Sequence, residues 1–105
     1  SINDMNMAIN LDNNNPRFYF NRASIYKDEK LYDKAIEDYS VIIAKFDNNN
    51  YDSYFNRAFC LSQINNYYDA INDYTKAIEI KNDDFESLCN RADLYITINN
   101  NFLAQ

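Results

Sequence analysis

The triplet Asn-Arg-Ala occurs three times in this 105-residue chain, at positions 21–23, 56–58 and 90–92. The copies stand thirty-five and thirty-four residues apart, and their surroundings repeat with them. Tyr19-Phe20 precedes the first copy and Tyr54-Phe55 the second. Downstream, Ala35-Ile36 and Asp38-Tyr39 return as Ala70-Ile71 and Asp73-Tyr74. A biased composition can repeat a triplet by chance, but not its flanks. A unit of this length cannot bury its own apolar face and must stack on neighbours, so the period marks a solenoid.

Apolar spacing shows what each unit is made of. Pro16 is a good first helical residue. Phe18, Tyr19, Arg22, Ala23, Ile25 and Tyr26 then fall three and four apart, which predicts a helix from Pro16 to about Glu29. After a turn at Lys30-Leu31, the stripe Ala35, Ile36, Tyr39, Ile42 and Ile43 predicts a second helix from about Tyr32 to Phe46. The pair returns at about Asp52 to Ile64 and Tyr68 to Lys81, with polar turns at 47–50, 65–66 and 82–84. A further helix is expected from about Phe85 to Ile98, then a turn at Asn99 to Asn101 and the start of another helix. Asparagine suits these turns because it tolerates left-handed backbone better than other residues with a side chain. Before Pro16, the segment Asp4 to Leu11 aligns with Asp73 to Ile80, a second helix without its first.

These positions carry a family resemblance. Tyr19, Tyr54 and Leu88 supply a large residue early in each first helix, and Ala23, Ala58 and Ala92 the small residue where paired helices touch. Tyr26, Leu61 and Tyr95 follow, then Ala35, Ala70 and Ala104 opening the second helix, with Tyr39 and Tyr74 one turn later. The chain resembles the tetratricopeptide repeat over essentially its whole length. The resemblance implies an all-α, right-handed superhelical stack of antiparallel helix pairs forming one domain over residues 1–105. Residues 1–15 would be a partial repeat (second helix only), 16–50 and 51–84 full repeats, and 85–105 a partial repeat with a first helix and a stub. Opening in mid-pattern at Ser1, the chain reads as a fragment of a longer repeat protein. It departs from the family in two places. Arg22, Arg57 and Arg91 stand where Leu is usual, which suggests a stem along the groove edge with its head in solvent. Asp47 and Asn82 replace the proline that ends the second helix, and the spare residue of the first unit is expected near Asp47.

Composition removes most chemistry. Without histidine there is no imidazole base, ligand or switch, and without glycine no phosphate-cradling loop or nucleophile elbow. Cys60 and Cys89 have no nearby thiol or imidazole in sequence and read as reduced thiols. Asp12-Asn-Asn-Asn and Asp47-Asn-Asn-Asn faintly suggest calcium loops. The turn glycine is missing, however, and Ala23 and Ala58 stand where the bidentate glutamate belongs. We therefore expect no metal, no cofactor and no enzyme. A net charge of −6 disfavours nucleic acid and anionic membrane as partners. The longest apolar run, Val41 to Ala44, is far too short to span a bilayer. The absence of an Asn-x-Ser/Thr sequon leans towards an intracellular, cytoplasmic setting.

In the family, first helices line a concave groove. Carried over, this face holds Arg17, Phe20, Asn21, Ser24 and Lys27, then Asp52, Phe55, Asn56, Phe59 and Gln63, then Glu86, Cys89, Asn90, Asp93 and Thr97. Phe20, Phe55 and Phe59 are large and off the packing stripe, and Asn21, Asn56 and Asn90 form a ladder of amides. An amide both donates and accepts, so a ladder of them can hold an extended peptide by its backbone. Similar ladders do so in the repeat domain of the O-linked N-acetylglucosamine transferases, which this arrangement resembles. The alternative is that these amides cap local backbone. The resemblance also raises the carboxylate clamp for acidic chaperone tails, but its cationic positions fall on Glu86 and Asn90. The sequence thus points to a protein-interaction scaffold taking a peptide in its groove. A structural spacer is the second reading, and a chaperone-tail-binding domain a minor one. The incomplete terminal repeats, one expected to expose Leu88, Ala92 and Tyr95 and the other carrying the complementary Met5, Ala8 and Ile9, would also allow head-to-tail self-association.

Overall fold

The asparagine-rich turns set the helix starts. Asp12 and Asp47 each accept a hydrogen bond from the backbone N–H two residues on, at 3.0 Å, which spends these carboxylates on the turn. The next acceptors are N-caps. Asn15 Oδ1 takes the N–H of Arg17 at 3.0 Å, Asn50 Oδ1 that of Ser53 at 2.8 Å and Asp84 Oδ1 that of Ser87 at 3.2 Å. Each satisfies an N–H group that a helix start leaves orphaned.

The computed structural model describes residues 1–104. Its helices are α1 (Ile2–Leu11), α2 (Pro16–Asp28), α3 (Tyr32–Val41, continued by a π-helical turn Ile42–Phe46), α4 (Tyr51–Gln63), α5 (Tyr67–Ile80) and α6 (Phe85–Ala104). No strand occurs among the described residues. The stack measures 50 × 29 × 18 Å, an elongated solenoid in which each helix packs on its sequence neighbours. The alanines expected at close helix contacts, Ala23, Ala35, Ala58 and Ala70, are fully buried. Tyr39 and Tyr74 fill the space beside them. The π turn carries the spare residue: the N–H of Asp47 reaches back five residues to the carbonyl of Ile42, at 2.8 Å.

Two expectations are corrected. The triplet arginines do not extend into solvent. Arg22 donates through Nε and Nη2 to both carboxylate oxygens of Asp38, at 2.8 and 2.7 Å, and Arg57 does the same to Asp73, at 2.7 and 2.8 Å. The remaining terminal nitrogen bridges backwards to the preceding unit: Arg22 to Asn6 at 2.9 Å, Arg57 to Ser40 at 3.0 Å and Arg91 to Thr75 at 3.0 Å. Each full set pins three helices with one planar fork. Solvent would have cost less desolvation. The buried carboxylates Asp38 and Asp73 decide the matter, because they demand a cation.

The second correction concerns the end of the chain. The turn expected at Asn99 to Asn101 does not form, and α6 runs through it to Ala104; Gln105 lies outside the described residues. In α2 and α4 the helix is closed by a left-handed residue, Lys30 at φ 64° and Asn65 at φ 65°. The next N–H then returns five residues, Leu31 to Tyr26 at 2.8 Å and Asn66 to Leu61 at 2.9 Å. That break is offset by the packing of a full second helix. At Asn99 to Asn101 the backbone instead keeps the helical conformation of α6, which pairs its N–H and C=O groups within the helix.

A concave groove as the candidate functional site

The arginine forks hold the paired helices from one side and leave the first helices α2, α4 and α6 to present their other faces to the groove. Phe20 and Phe55 are half-buried there, each edge-on to the tyrosine of its own second helix. Phe20 lies 5.7 Å from Tyr39 and Phe55 5.7 Å from Tyr74, centroid to centroid. Phe59 is more open, at 37% exposed, with Tyr32 edge-on at 6.2 Å and the Lys27 ammonium over its ring at 5.9 Å.

The three asparagines are not equivalent. Among the described residues Asn21 makes no side-chain hydrogen bond and is exposed. Asn56 is engaged at both ends: its oxygen accepts from Lys27 Nζ at 3.0 Å and its nitrogen donates to the Asp52 carbonyl at 2.8 Å. Asn90 makes one long bond, 3.5 Å, to the hydroxyl of Tyr74. Ser24 shares a hydrogen bond with the Tyr39 hydroxyl at 3.4 Å. Burial pushes the phenols of Tyr39 and Tyr74 up to about 12, so both stay neutral and able to donate.

Two hollows open on this face. One, of about 190 Å³, lies between α4 and α6 and brings together Phe59, Gln63 and Asn90 with Tyr74, Asp93 and Leu94. The other, of about 280 Å³, places Phe20 beside Arg17, Asp52 and Asn50 near the starts of α2 and α4. Asp93 is the participant that ladder-spacing alone did not single out; it sits three residues after Asn90, on the same helical face. No group of acids and thiols that could hold a metal ion occurs among the described residues. Cys60 is buried, which pushes its thiol up to about 11 and leaves it unreactive at neutral pH. No helix among the described residues is long and apolar enough to cross a membrane.

Comparison with known proteins matches the same architecture. Two tetratricopeptide repeat family models match, one over residues 51–84 and one over residues 16–40, together more than half of the chain. No curated protein matches it as a relative. Among solved structures, the first tetratricopeptide repeat domain of Spaghetti (RPAP3), bound to the HSP90 peptide SRMEEVD, superposes with a TM-score of 0.86 at 22% identity, over 92% of this chain and 76% of that one. The first such domain of human RPAP3 gives 0.87 at 20% identity, over 99% and 81%. MamA gives 0.88 at 18%, over 93% of this chain and 57% of its own length. At these identities the superpositions speak for the fold, and the repeat matches for descent. This chain belongs to the tetratricopeptide repeat family.

Proposed function

We propose that the chain is a non-catalytic interaction scaffold whose concave groove takes an extended segment of a partner protein, neutral or basic rather than acidic. The observation that carries this is the hollow between α4 and α6. There an open aromatic ring, two amides and a carboxylate converge in a space about the size of one side chain. Asn21 adds an unengaged amide further along, and Asn90 has only a long bond to give up. Asn56 serves better as a strut for Lys27 than as a ligand clamp. The fold is able to bind peptide, since a structural neighbour holds one from HSP90. The ligand here differs in charge. Glu86 and Asn90 occupy the clamp's cationic positions, and Asp52 and Asp93 line the two hollows. An acidic tail would meet like charge in a partly dehydrated groove.

An arrayed peptide library spanning a range of net charge tests this reading. Neutral and basic peptides are expected to be retained. Phe59→Ala and Asn90→Ala, combined, should weaken them at least tenfold, about 1.4 kcal/mol. Retention of acidic peptides alone, or binding indifferent to both substitutions, would overturn it.

A further inference from the structure

The two arginine forks are built alike, but their surroundings differ. Arg22 lies over two rings, Tyr19 at 5.8 Å and Tyr26 at 5.9 Å, and the Lys34 ammonium lies over Tyr26 in turn, at 5.6 Å. Arg57 lies over Tyr54 at 5.7 Å, but the residue at the register of Tyr26 is Leu61, which has no ring to offer. Asp69 stands at the register of Lys34, and Asn72 at that of Glu37. The second fork opens on a hollow of about 350 Å³, lined by Ile36 of α3, Arg57 and Leu61 of α4, and Asp69, Asn72 and Asp73 of α5. This hollow shares no residue with the two on the groove. A cavity of about 150 Å³ holds a benzene ring, so there is room for one here.

The lining selects its occupant. Leu61 is buried and Ile36 packs against its cluster, so one wall is apolar. The Arg57 guanidinium is a flat cation that favours a ring face and repels another cation. Asp73 spends both oxygens on Arg57. Asp69 is exposed and, among the described residues, bonds only the amide of Asn66, at 2.8 Å, so it keeps lone pairs to offer. Arg57 and Asp73 cancel, and Asp69 leaves the hollow one negative charge, which turns an anion away. A neutral ring carrying a donor satisfies all of these walls, and a phenol is such a ring.

We propose that this hollow is a second binding site, on the fork side of the stack, which takes a tyrosine side chain of a partner protein. The ring lies against Arg57 and Leu61, and its hydroxyl donates to Asp69. The first unit supplies the template: there Tyr26 gives the chain's own arginine its second ring. The second unit has the same fork and the same first ring, and leaves the second ring to a partner. The inference rests on the fork and its hollow, and is independent of what the groove binds.

Titration of the 105-residue chain with N-acetyl-tyrosinamide tests it, followed by NMR at the Arg57 side-chain N–H groups and the Leu61 methyls. These signals should shift together and saturate. N-acetyl-phenylalaninamide should bind about tenfold more weakly, for want of one hydrogen bond to a charged acceptor. Asp69→Ala, a change at an exposed residue, should bring the tyrosine amide down to the phenylalanine level. Leu61→Tyr copies the first unit, fills the hollow from within and should abolish binding. No shift at these signals, shifts confined to the groove around Phe59, or equal binding of the two amides would each overturn the inference. So would tighter binding of N-acetyl-lysinamide, or a folded Leu61→Tyr variant that binds like wild type.

Discussion

The Arg57–Asp73 pair offers the sharpest test of what holds this stack together. Asp73 is 5% exposed, and burial lifts its carboxyl above its ordinary value against the opposing pull of Arg57. Asp73→Ala removes the carboxylate that accepts two charge-assisted bonds, leaving a guanidinium held only by Ser40. Breaking a buried pair from one side costs roughly 3–5 kcal/mol. The Arg57 side chain is 21% exposed, so water reaches part of the orphaned charge. We therefore expect about 2–4 kcal/mol, a large share of the roughly 5–15 kcal/mol typical of a whole domain. In urea, with a slope of about 2 kcal/mol per molar, the midpoint should fall by about 1–2 M. The decisive variant is the double one. Arg57→Leu restores the apolar residue usual in this family and takes away the charge, so with Asp73→Ala it should return stability to within about 1 kcal/mol of wild type. If Asp73→Ala alone costs under about 0.5 kcal/mol, or Arg57→Leu rescues none of the loss, the fork is an ordinary surface pair and the argument for bracing fails.

Two further expectations concern turns and tyrosines. Lys30→Gly should raise stability by about 0.5–1 kcal/mol in thermal or urea melts, because glycine adopts the left-handed backbone at φ 64° without a Cβ penalty. Loss of stability there would mean that the Lys30 side chain contributes more than its backbone costs. Burial pushes Tyr39 and Tyr74 up to about 12 from an ordinary value of 10, so their contribution is intact below pH 10 and is lost as pH rises through about 12. Each two-unit shift is worth about 2.7 kcal/mol. Phenolate absorbance of these two should therefore appear together with loss of helical circular dichroism, and ionisation inside an intact fold would contradict their burial.

How much of this was legible in the residues depended on whether a feature was written in the repeat itself. Period, alanine contacts and the tyrosines beside them were readable because each recurs, and a recurring residue reports its place in the stack. The π turn was half-readable: the extra residue was visible as a thirty-five-residue step, but its home inside a helix was not. The arginine forks were legible and missed. Asp38 and Asp73 repeat as faithfully as the triplet, and an acid that recurs on an otherwise apolar face of a second helix is a signal that some cation must meet it. Asn56 was illegible in a different way. Its spacing matches Asn21 and Asn90, yet only three-dimensional proximity of Lys27, twenty-nine residues earlier, shows that its amide is occupied. The helix through Asn99 was unreadable because asparagine's preference for turns is a weak local signal that a helix can override.

The π turn at Ile42–Phe46 also fixes what a repeat can tolerate. The inserted residue falls between Ser40 and Arg57, seventeen residues apart where Asn6 and Arg22, and Thr75 and Arg91, are sixteen apart, yet the bond across it has the same length as that of Arg91. A residue added to the connecting loop could have changed how the next pair is set down. Added within the helix wall, it is taken up in the winding of one turn, and the following unit meets the stack in phase. Sequence length and spatial step are thereby uncoupled. Units of unequal length can share one continuous inner surface, and a ligand laid along that surface would find no seam at the longer unit.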